Sequence, residues 1–343
     1  MTCRARGLPG RRRRDSRRGV VGFRMGLRCR WVVATPMFLL VACTSHAGGV
    51  ATRASVAPLR ITATEGPASS SPIPPATTPA RAPVPTAIDP ASFPVGTCVS
   101  YPPTGRNRAT TVFLDAGHGG PDPGGFGRTT SGRVVEEKAI ALDVVLDAER
   151  MLHTLGFTVV VSRTTDTTVA RLTAADVSGT LLTVAGVHAD LEARARCANE
   201  AGAAVLVSVH FNSGSSSRDA GALTIYDGAR SFATNNHRLA EVLQANVRSG
   251  LNAHGWAIPD AGVVSDTTVG NALSSAAAAY GHLVILGPSM AGYFTSPTTM
   301  PGSVIEPLFL TDPFEADIAA SPAGQVSIAA GIATAVTQFL GDS

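Results

Sequence analysis

Residues 191–212, LEARARCANEAGAAVLVSVHFN, contain the clearest signal of the fold class. The segment 191–201 is typical of a helix, a glycine turn follows, and residues 204–209 predict a buried strand that ends at the polar His210. Helix, turn and strand alternate in this way along residues 111–340, which favours right-handed crossovers onto a mostly parallel sheet. The sequence therefore predicts an α/β fold: a twisted sheet of about six strands, flanked by helices in Rossmann-like layers.

The predicted strands are short apolar runs bounded by turn residues, and the predicted helices have apolar stripes at helical spacing. We expect strands at 111–114, 157–161, 204–209, 221–226, 283–286 and 303–307. We expect helices at 137–155, 191–201, 231–251 and 322–340. In sheets of this kind the ligand site lies beyond the carboxyl ends of the strands.

The charge of the chain is distributed unevenly. Residues 1–43 contain eleven arginines and one acidic residue, whereas residues 44–343 contain 17 basic and 24 acidic residues. A nucleic-acid-binding protein needs a basic surface on its folded part, so this class is excluded. Hydrophobic residues make up 44% of the chain and aromatic residues only 5%, so the core must be built from Ala, Val and Leu.

The amino terminus has the pattern of an export signal. Arginine-rich sequence precedes an apolar run at 31–42, which is shorter than a membrane span and is typical of a secretory signal. The run ends in Leu40-Val-Ala-Cys43, which resembles the bacterial lipobox, where the cysteine is lipidated and becomes the first mature residue. We predict a lipoprotein signal peptide over 1–42 and lipidation at Cys43. Cleavage near Ala47, or a buried cysteine without a role, is the alternative.

The rest of the chain divides into a linker and one domain. Residues 43–97 are rich in Ala, Pro, Ser and Thr and predict a disordered tether, and residues 98–343 predict the folded domain. This domain contains Cys98 and Cys197. An oxidising compartment makes them a candidate disulfide, while a buried free thiol at Cys197 is the alternative.

Three residues at the ends of predicted elements could bind a metal. His118 lies in a glycine-rich loop after the first strand, Glu137 begins the first helix, and His210 ends the third strand. Taken singly, each has an ordinary structural explanation. His118 is typical of a turn histidine, Glu137 of an acid that complements the helix dipole, and His210 of a hydrogen-bonded core histidine. Together, two imidazoles and a carboxylate form the ligand set of a catalytic zinc site with its fourth position left for water.

Five motifs in a fixed order give these residues a context. They are DAGHGGPDPGG at 115–125, EK at 137–138, SRTTD at 162–166, RARCANEAGAAVLVSVHFN at 194–212 and SVIEPLF at 303–309. The chain from Thr111 onwards resembles the zinc-dependent N-acetylmuramoyl-L-alanine amidases of the Amidase_3 type. The resemblance implies zinc ligands at His118, Glu137 and His210, with Glu306 as the general base on a zinc-bound water.

The same resemblance implies the substrate, which is the amide bond between N-acetylmuramic acid and L-alanine in bacterial peptidoglycan. We expect an exported monomer, anchored to the outer face of the cytoplasmic membrane by its lipid alone, with no nucleic-acid partner. Residues 307–312 depart from the family's turn after the glutamate. A non-catalytic peptidoglycan-binding or regulatory protein of the same fold is therefore an alternative, as is a zinc peptidase of the stem peptide. The remaining histidines match no family motif and are interpreted as structural or solvated: His153, His188, His237, His254 and His282.

Overall fold

A computed structural model of the chain describes residues 84–269 and 278–341. The predicted signal peptide at 1–42, the predicted lipidation site Cys43 and the linker up to residue 83 lie outside the described residues.

Twelve strands occur within the described residues, and eight of them form the central sheet. In chain order the strands are β1 (Thr86–Ala87), β2 (Thr97–Tyr101), β3 (Thr111–Ala116), β4 (Phe126–Arg128), β5 (Val134–Glu136), β6 (Thr158–Arg163), β7 (Val177–Ser178), β8 (Leu181–Leu182), β9 (Val205–Val209), β10 (Ala222–Tyr226), β11 (Asp260–Ser265) and β12 (Gly302–Glu306). The helices in the same ranges are α1 (Glu137–Thr154), α2 (Val184–Glu200), α3 (Ala233–Asn252), α4 (Pro313–Ala319) and α5 (Pro322–Gly341).

The central sheet has the order β1-β2-β6-β3-β9-β12-β10-β11. Strands β6, β3, β9 and β12 are parallel, β2 pairs antiparallel to β6, and β10 pairs antiparallel to β12 but parallel to β11. The α/β fold with a mostly parallel sheet is confirmed, but the sheet has eight strands where we predicted about six. The additional strands are β1, β2 and β11 at the two edges, where partial exposure removes the continuous apolar pattern of a buried strand.

The prediction of a strand at 283–286 is wrong, because these residues form turns. The backbone N–H of Leu286 donates to the carbonyl oxygen of Leu283. Val284, Ile285 and Leu286 are buried. Their apolar pattern therefore reflects burial in the core and not pairing with a neighbouring strand.

The folded domain begins before residue 98, contrary to our boundary. Thr86 and Ala87 pair with Ser100 and Val99 of β2, and Phe93 is buried. This pairing satisfies backbone groups in a segment whose composition alone predicted a disordered tether. Cys98 and Cys197 are joined by a disulfide that links β2 to α2.

The helices cover the two faces of the sheet unequally. Helices α1, α3 and α5 pack together on one face and bury most of the apolar core. Helix α5 is long and apolar enough to cross a membrane, but 56% of its apolar window is buried, as in the core helix of a globular protein. The other face is covered by α2 and by the irregular segment 278–300, and a cavity opens there.

Candidate metal centre

The structure brings three predicted ligands together from distant parts of the chain. Nε2 of His118 and Oε1 of Glu137 are 3.0 Å apart, and Nδ1 of His210 lies 3.0 Å from the same oxygen. The two imidazole nitrogens are 3.1 Å apart. The ends of β3 and β9 and the start of α1 thus place three donor atoms at the corners of a nearly equilateral triangle.

The spacing and chemistry of these donors fit a zinc ion. A tetrahedral Zn²⁺ binds nitrogen and oxygen at about 2.0–2.2 Å, which places neighbouring ligand atoms about 3.3 Å apart. Two imidazoles and one carboxylate are a common ligand set for such an ion. The residues present therefore fit the metal. All three also line a cavity on this face of the sheet.

The loop that carries His118 is shaped by glycines. His118 has a left-handed backbone (φ 59°), which costs an L-residue about 1–2 kcal/mol. A Cβ added at Gly117 would lie 2.4 Å from the His210 ring, and one at Gly124 would lie 2.7 Å from Oε2 of Glu137. Glycine is therefore required at both positions for the loop to close around the donors.

Glu137 is held by backbone donors. The N–H of Phe211 donates to Oε1 at 2.9 Å, and the N–H of Gly125 donates to Oε2 at 2.6 Å. Burial by itself would raise the pKa of Glu137, but the charges of and hydrogen bonds with His118 and His210 outweigh it and hold the pKa well below its usual range. Glu137 is thus ionised and fixed in one orientation.

Asp122 orients His118 and is a residue that we did not single out from the sequence. Its Oδ2 lies 2.9 Å from Nδ1 of His118, which directs Nε2 towards the other donors. Burial lowers the pKa of His118, but the negative charge of Glu137 and the contact with Asp122 outweigh it and raise the pKa to about 10. The site therefore favours positive charge. The available signal was an acid four residues after His118 in the same glycine-rich loop.

A buried arginine supports the loop from the side of α2. The Arg194 guanidinium is 1% exposed and donates to Oδ1 of Asp115 at 2.7 Å, to the carbonyl oxygen of His118 at 2.6 Å and to Oδ2 of Asp190. Arg163 donates to the carbonyl oxygen of Gly117 at 2.8 Å. Both arginines contact the backbone of the loop and so have a structural role there.

Glu306 ends β12 beside this centre. Its Oε2 is buried without a hydrogen-bond partner in the described part of the chain. Burial and the negative charge of Glu137 raise the pKa of Glu306 to about 8, against an opposing effect of His118. A cavity of about 270 Å³ connects the candidate catalytic groups, and its lining includes His118, Glu137, His210 and Glu306.

The unusual turn after Glu306 is well packed. Leu308 and Leu310 are fully buried, and the N–H of Asn212 donates to the carbonyl oxygen of Leu308 at 3.0 Å. The N–H of Phe309 donates to Oε2 of Glu315. The turn therefore anchors the end of β12 through its own set of contacts.

A family model described as Amidase_3, N-acetylmuramoyl-L-alanine amidase, matches residues 112–338. The chain belongs to the Amidase_3 family. It is 26% identical over 228 residues to the germination-specific N-acetylmuramoyl-L-alanine amidase of Bacillus subtilis. This alignment covers 66% of this chain and 78% of that protein. It is 30% identical over 141 residues to N-acetylmuramoyl-L-alanine amidase LytC of the same organism, or 41% of this chain and 23% of that protein.

A solved structure supports the fold of this Amidase_3 member. The CwlD amidase from Clostridioides difficile, determined in complex with the GerS lipoprotein, aligns with a TM-score of 0.51 at 21% identity. The alignment covers 68% of this chain and 100% of that chain. Family membership and the amidase relatives support hydrolysis of a peptidoglycan amide bond.

Proposed function

We propose that this Amidase_3 protein uses zinc to hydrolyse the amide bond between N-acetylmuramic acid and the L-alanine of peptidoglycan. His118, Glu137 and His210 would hold the ion, and Glu306 would act as general base. The observation that carries the proposal is the convergence of three donors within 3.1 Å of one another in a cavity that Glu306 also lines.

The centre combines a metal with fixed protein groups. When bound, zinc would polarise the amide carbonyl and raise the acidity of the attacking water. Glu137 contributes one negative charge and keeps its orientation through the N–H groups of Phe211 and Gly125. Asp122 holds the His118 ring with Nε2 towards the centre. The backbone N–H groups and Asp122 thus fix the orientation of Glu137 and His118 before substrate enters the cavity.

Glu306 is suited to transfer a proton in both directions. A carboxylate whose pKa is raised towards neutrality by burial is a stronger base than an exposed one, and a pKa near the working pH suits a group that must both accept and release a proton. Its Oε2 makes no hydrogen bond with any described residue, so that oxygen is free to accept one from water. Glu306 would take a proton from the attacking water and pass it to the amine of L-alanine.

We further propose an exported, lipid-anchored protein. Peptidoglycan lies outside the cytoplasmic membrane, so an enzyme acting on it needs a signal such as the one predicted at 1–42, with Cys43 as the anchor and the linker as a tether. The Cys98–Cys197 disulfide fits an oxidising compartment. Replacing Cys43 by Ser should release the protein from membranes, and unchanged fractionation would contradict the anchor.

Digestion of purified sacculi followed by mass spectrometry tests the reaction. We expect intact stem peptides that begin with L-alanine, and we expect a chelator to stop their release. New glycan reducing ends would instead identify a glycosidase, and shortened stems would identify the peptidase alternative.

The role of Glu306 is tested by Glu306→Gln, which keeps the shape of the side chain. We expect the rate of peptide release to fall about 10²–10⁴-fold while the bound metal is retained. Glu241→Gln is the matched control, because Glu241 is exposed on α3 and should leave the rate unchanged. Equal activity in the two variants would remove Glu306 as the base.

A further inference from the structure

A second group of acidic and imidazole side chains lies outside the centre described above. Asp227 directly follows β10, Asp266 directly follows β11, and His282 belongs to the segment 278–300. Because β10 and β11 are parallel neighbours, their carboxyl ends place the two aspartates together. Because β10 is antiparallel to β12, the two aspartates lie beyond the amino-terminal end of β12, whereas Glu306 lies at its carboxyl end.

The three side chains are close enough to share one ion. Nδ1 of His282 lies 2.8 Å from Oδ2 of Asp227 and 3.2 Å from Oδ2 of Asp266. One donor atom from each residue lies within 4.8 Å of the others. Both aspartates are 0% exposed. This arrangement therefore places up to two negative charges in the protein interior.

The protein's own groups leave these charges incompletely compensated. Oδ2 of Asp227 and Oδ1 of Asp266 are buried and make no hydrogen bond within residues 84–269 and 278–341. Although Nδ1 of His282 is near both carboxylates, it is hydrogen-bonded to Asp266. Arg230 directs hydrogen bonds to the carbonyl oxygens of Leu286 and Gly287. An unpaired buried carboxylate oxygen is costly, so the cluster favours an additional positive charge.

We propose that Asp227, Asp266 and His282 bind a second divalent cation. Two carboxylates neutralise the charge of a dication; the imidazole ligand favours Zn²⁺ over Mg²⁺ or Ca²⁺, and the carboxylates also suit Mn²⁺. Oδ2 of Asp227 faces the cluster, since it lies 2.8 Å from Nδ1 of His282, and Oδ1 of Asp266 makes no hydrogen bond with any described residue.

This second ion would stabilise a wall of the substrate cavity. The N–H of Leu283 donates to Oδ2 of Asp266 at 3.1 Å, next to the ligand His282. Leu283, Val284 and Ile285 line the same cavity as Glu306. The cation would thus fasten the irregular segment 278–300 to the sheet. Its own three ligands are not among the residues that line the described cavity, which indicates a structural role and not a catalytic one.

Metal content of the purified chain tests this proposal, with Zn²⁺ and Mn²⁺ as the probes. After equilibration with one of these ions and removal of excess, we expect two equivalents in the unaltered chain and one in His282→Gln. We also expect one in His118→Ala/His210→Ala and none in the triple variant. His254→Gln is the matched control and should keep two, because His254 is exposed and its ring stacks on Trp256.

The outcomes separate this site from the proposed catalytic one, because each is removed by its own substitutions. One equivalent in the unaltered chain that disappears in His118→Ala/His210→Ala would overturn the second site and leave the first. If His282→Gln fails to fold, His118→Ala/His210→Ala decides alone. It should keep one equivalent and melt at a higher temperature with the bound ion than without it. If this double variant binds no metal and its melting temperature is the same with and without the ion, the cluster is a buried ion network and not a cation site.

Discussion

The two clusters contain similar donors but differ in their surroundings. In the first, the side chains of His118 and His210 are each 21% exposed and face a cavity that contains Glu306. In the second, Asp227 and Asp266 are completely buried, and Asp266 accepts a hydrogen bond from the backbone of the covering segment 278–300. Each cluster has three donor atoms within 4.8 Å of one another. Of the two, only the first lines the described cavity and has the buried carboxylate of Glu306 beside it, and these features agree with a catalytic role there and a structural role at the second.

Removing a ligand of the first cluster should have the largest effect on activity. We expect His210→Ala to lose metal and to reduce peptide release about 10³-fold or more, because several kcal/mol of transition-state stabilisation are lost. His254→Ala, which changes an exposed histidine stacked on Trp256, serves as the control. A rate within tenfold of the unaltered protein would show that the two clusters do not differ in the way we propose.

Disturbing the orientation of one ligand should have a smaller effect. Asp122→Asn keeps the side-chain size but weakens the contact with Nδ1 of His118. We expect zinc affinity, measured by competition with a chelator, to fall about 10–100-fold. Asp260→Asn, at an exposed position on β11, should leave the affinity unchanged. Equal affinities would mean that the backbone alone orients His118.

Glu149 provides a buried carboxylate that belongs to neither cluster. It is 3% exposed on α1, and burial raises its pKa to about 7, against the opposing charge of Arg150. Because the folded pKa exceeds the unfolded value of 4.5, the folded chain binds more protons, and this contribution to stability is lost as pH rises from about 5 to 8.

We therefore compare the unfolding free energy of Glu149→Gln with that of the unaltered protein. We expect the difference in favour of the variant to be about 1–3 kcal/mol larger at pH 8 than at pH 5. Denaturant unfolding at the two pH values measures this difference. The result measures what a buried carboxylate with His153 beside it costs, for comparison with Asp227 and Asp266. An equal difference at both pH values would show that Glu149 does not titrate in this range.

The smallest effect is expected for substrate binding when the second cluster is weakened. His282→Gln should raise KM about 2–5-fold with kcat nearly unchanged, because the wall at 283–285 lines the cavity but holds no catalytic group. Steady-state assays on a soluble muramyl peptide measure both constants. A fall in kcat of tenfold or more would place the second cluster in the catalytic machinery.

The first cluster could be predicted because it follows from strand direction. His118 and His210 follow β3 and β9, and the carboxyl ends of parallel neighbours meet at one edge of the sheet. Glu137 begins the helix that the apolar stripe of residues 137–155 predicted. The contact between Asp122 and His118 depends on the closed path of the loop, which glycine-rich sequence permits but does not determine.

The second cluster could not be predicted, because its residues have no common pattern. Asp227 and Asp266 are typical of turns that follow strands, and β11 was missed because its six residues are half-buried or exposed. His282 comes close to them only because the apolar residues after it fold as turns against the sheet. Apolar runs reveal burial, but neither strand direction nor the path of a covering segment can be read from them.

The reversal of β10 gives this sheet two separate rims of strand ends. If every strand ran the same way, polar residues following the strands would gather on a single side, where any added segment would compete with substrate for space. Here the segment 278–300 is held at the far rim through His282, whereas His118 and His210 follow strands that end at the near rim. The wall of the cavity and its metal-binding residues are therefore anchored at opposite ends of the sheet.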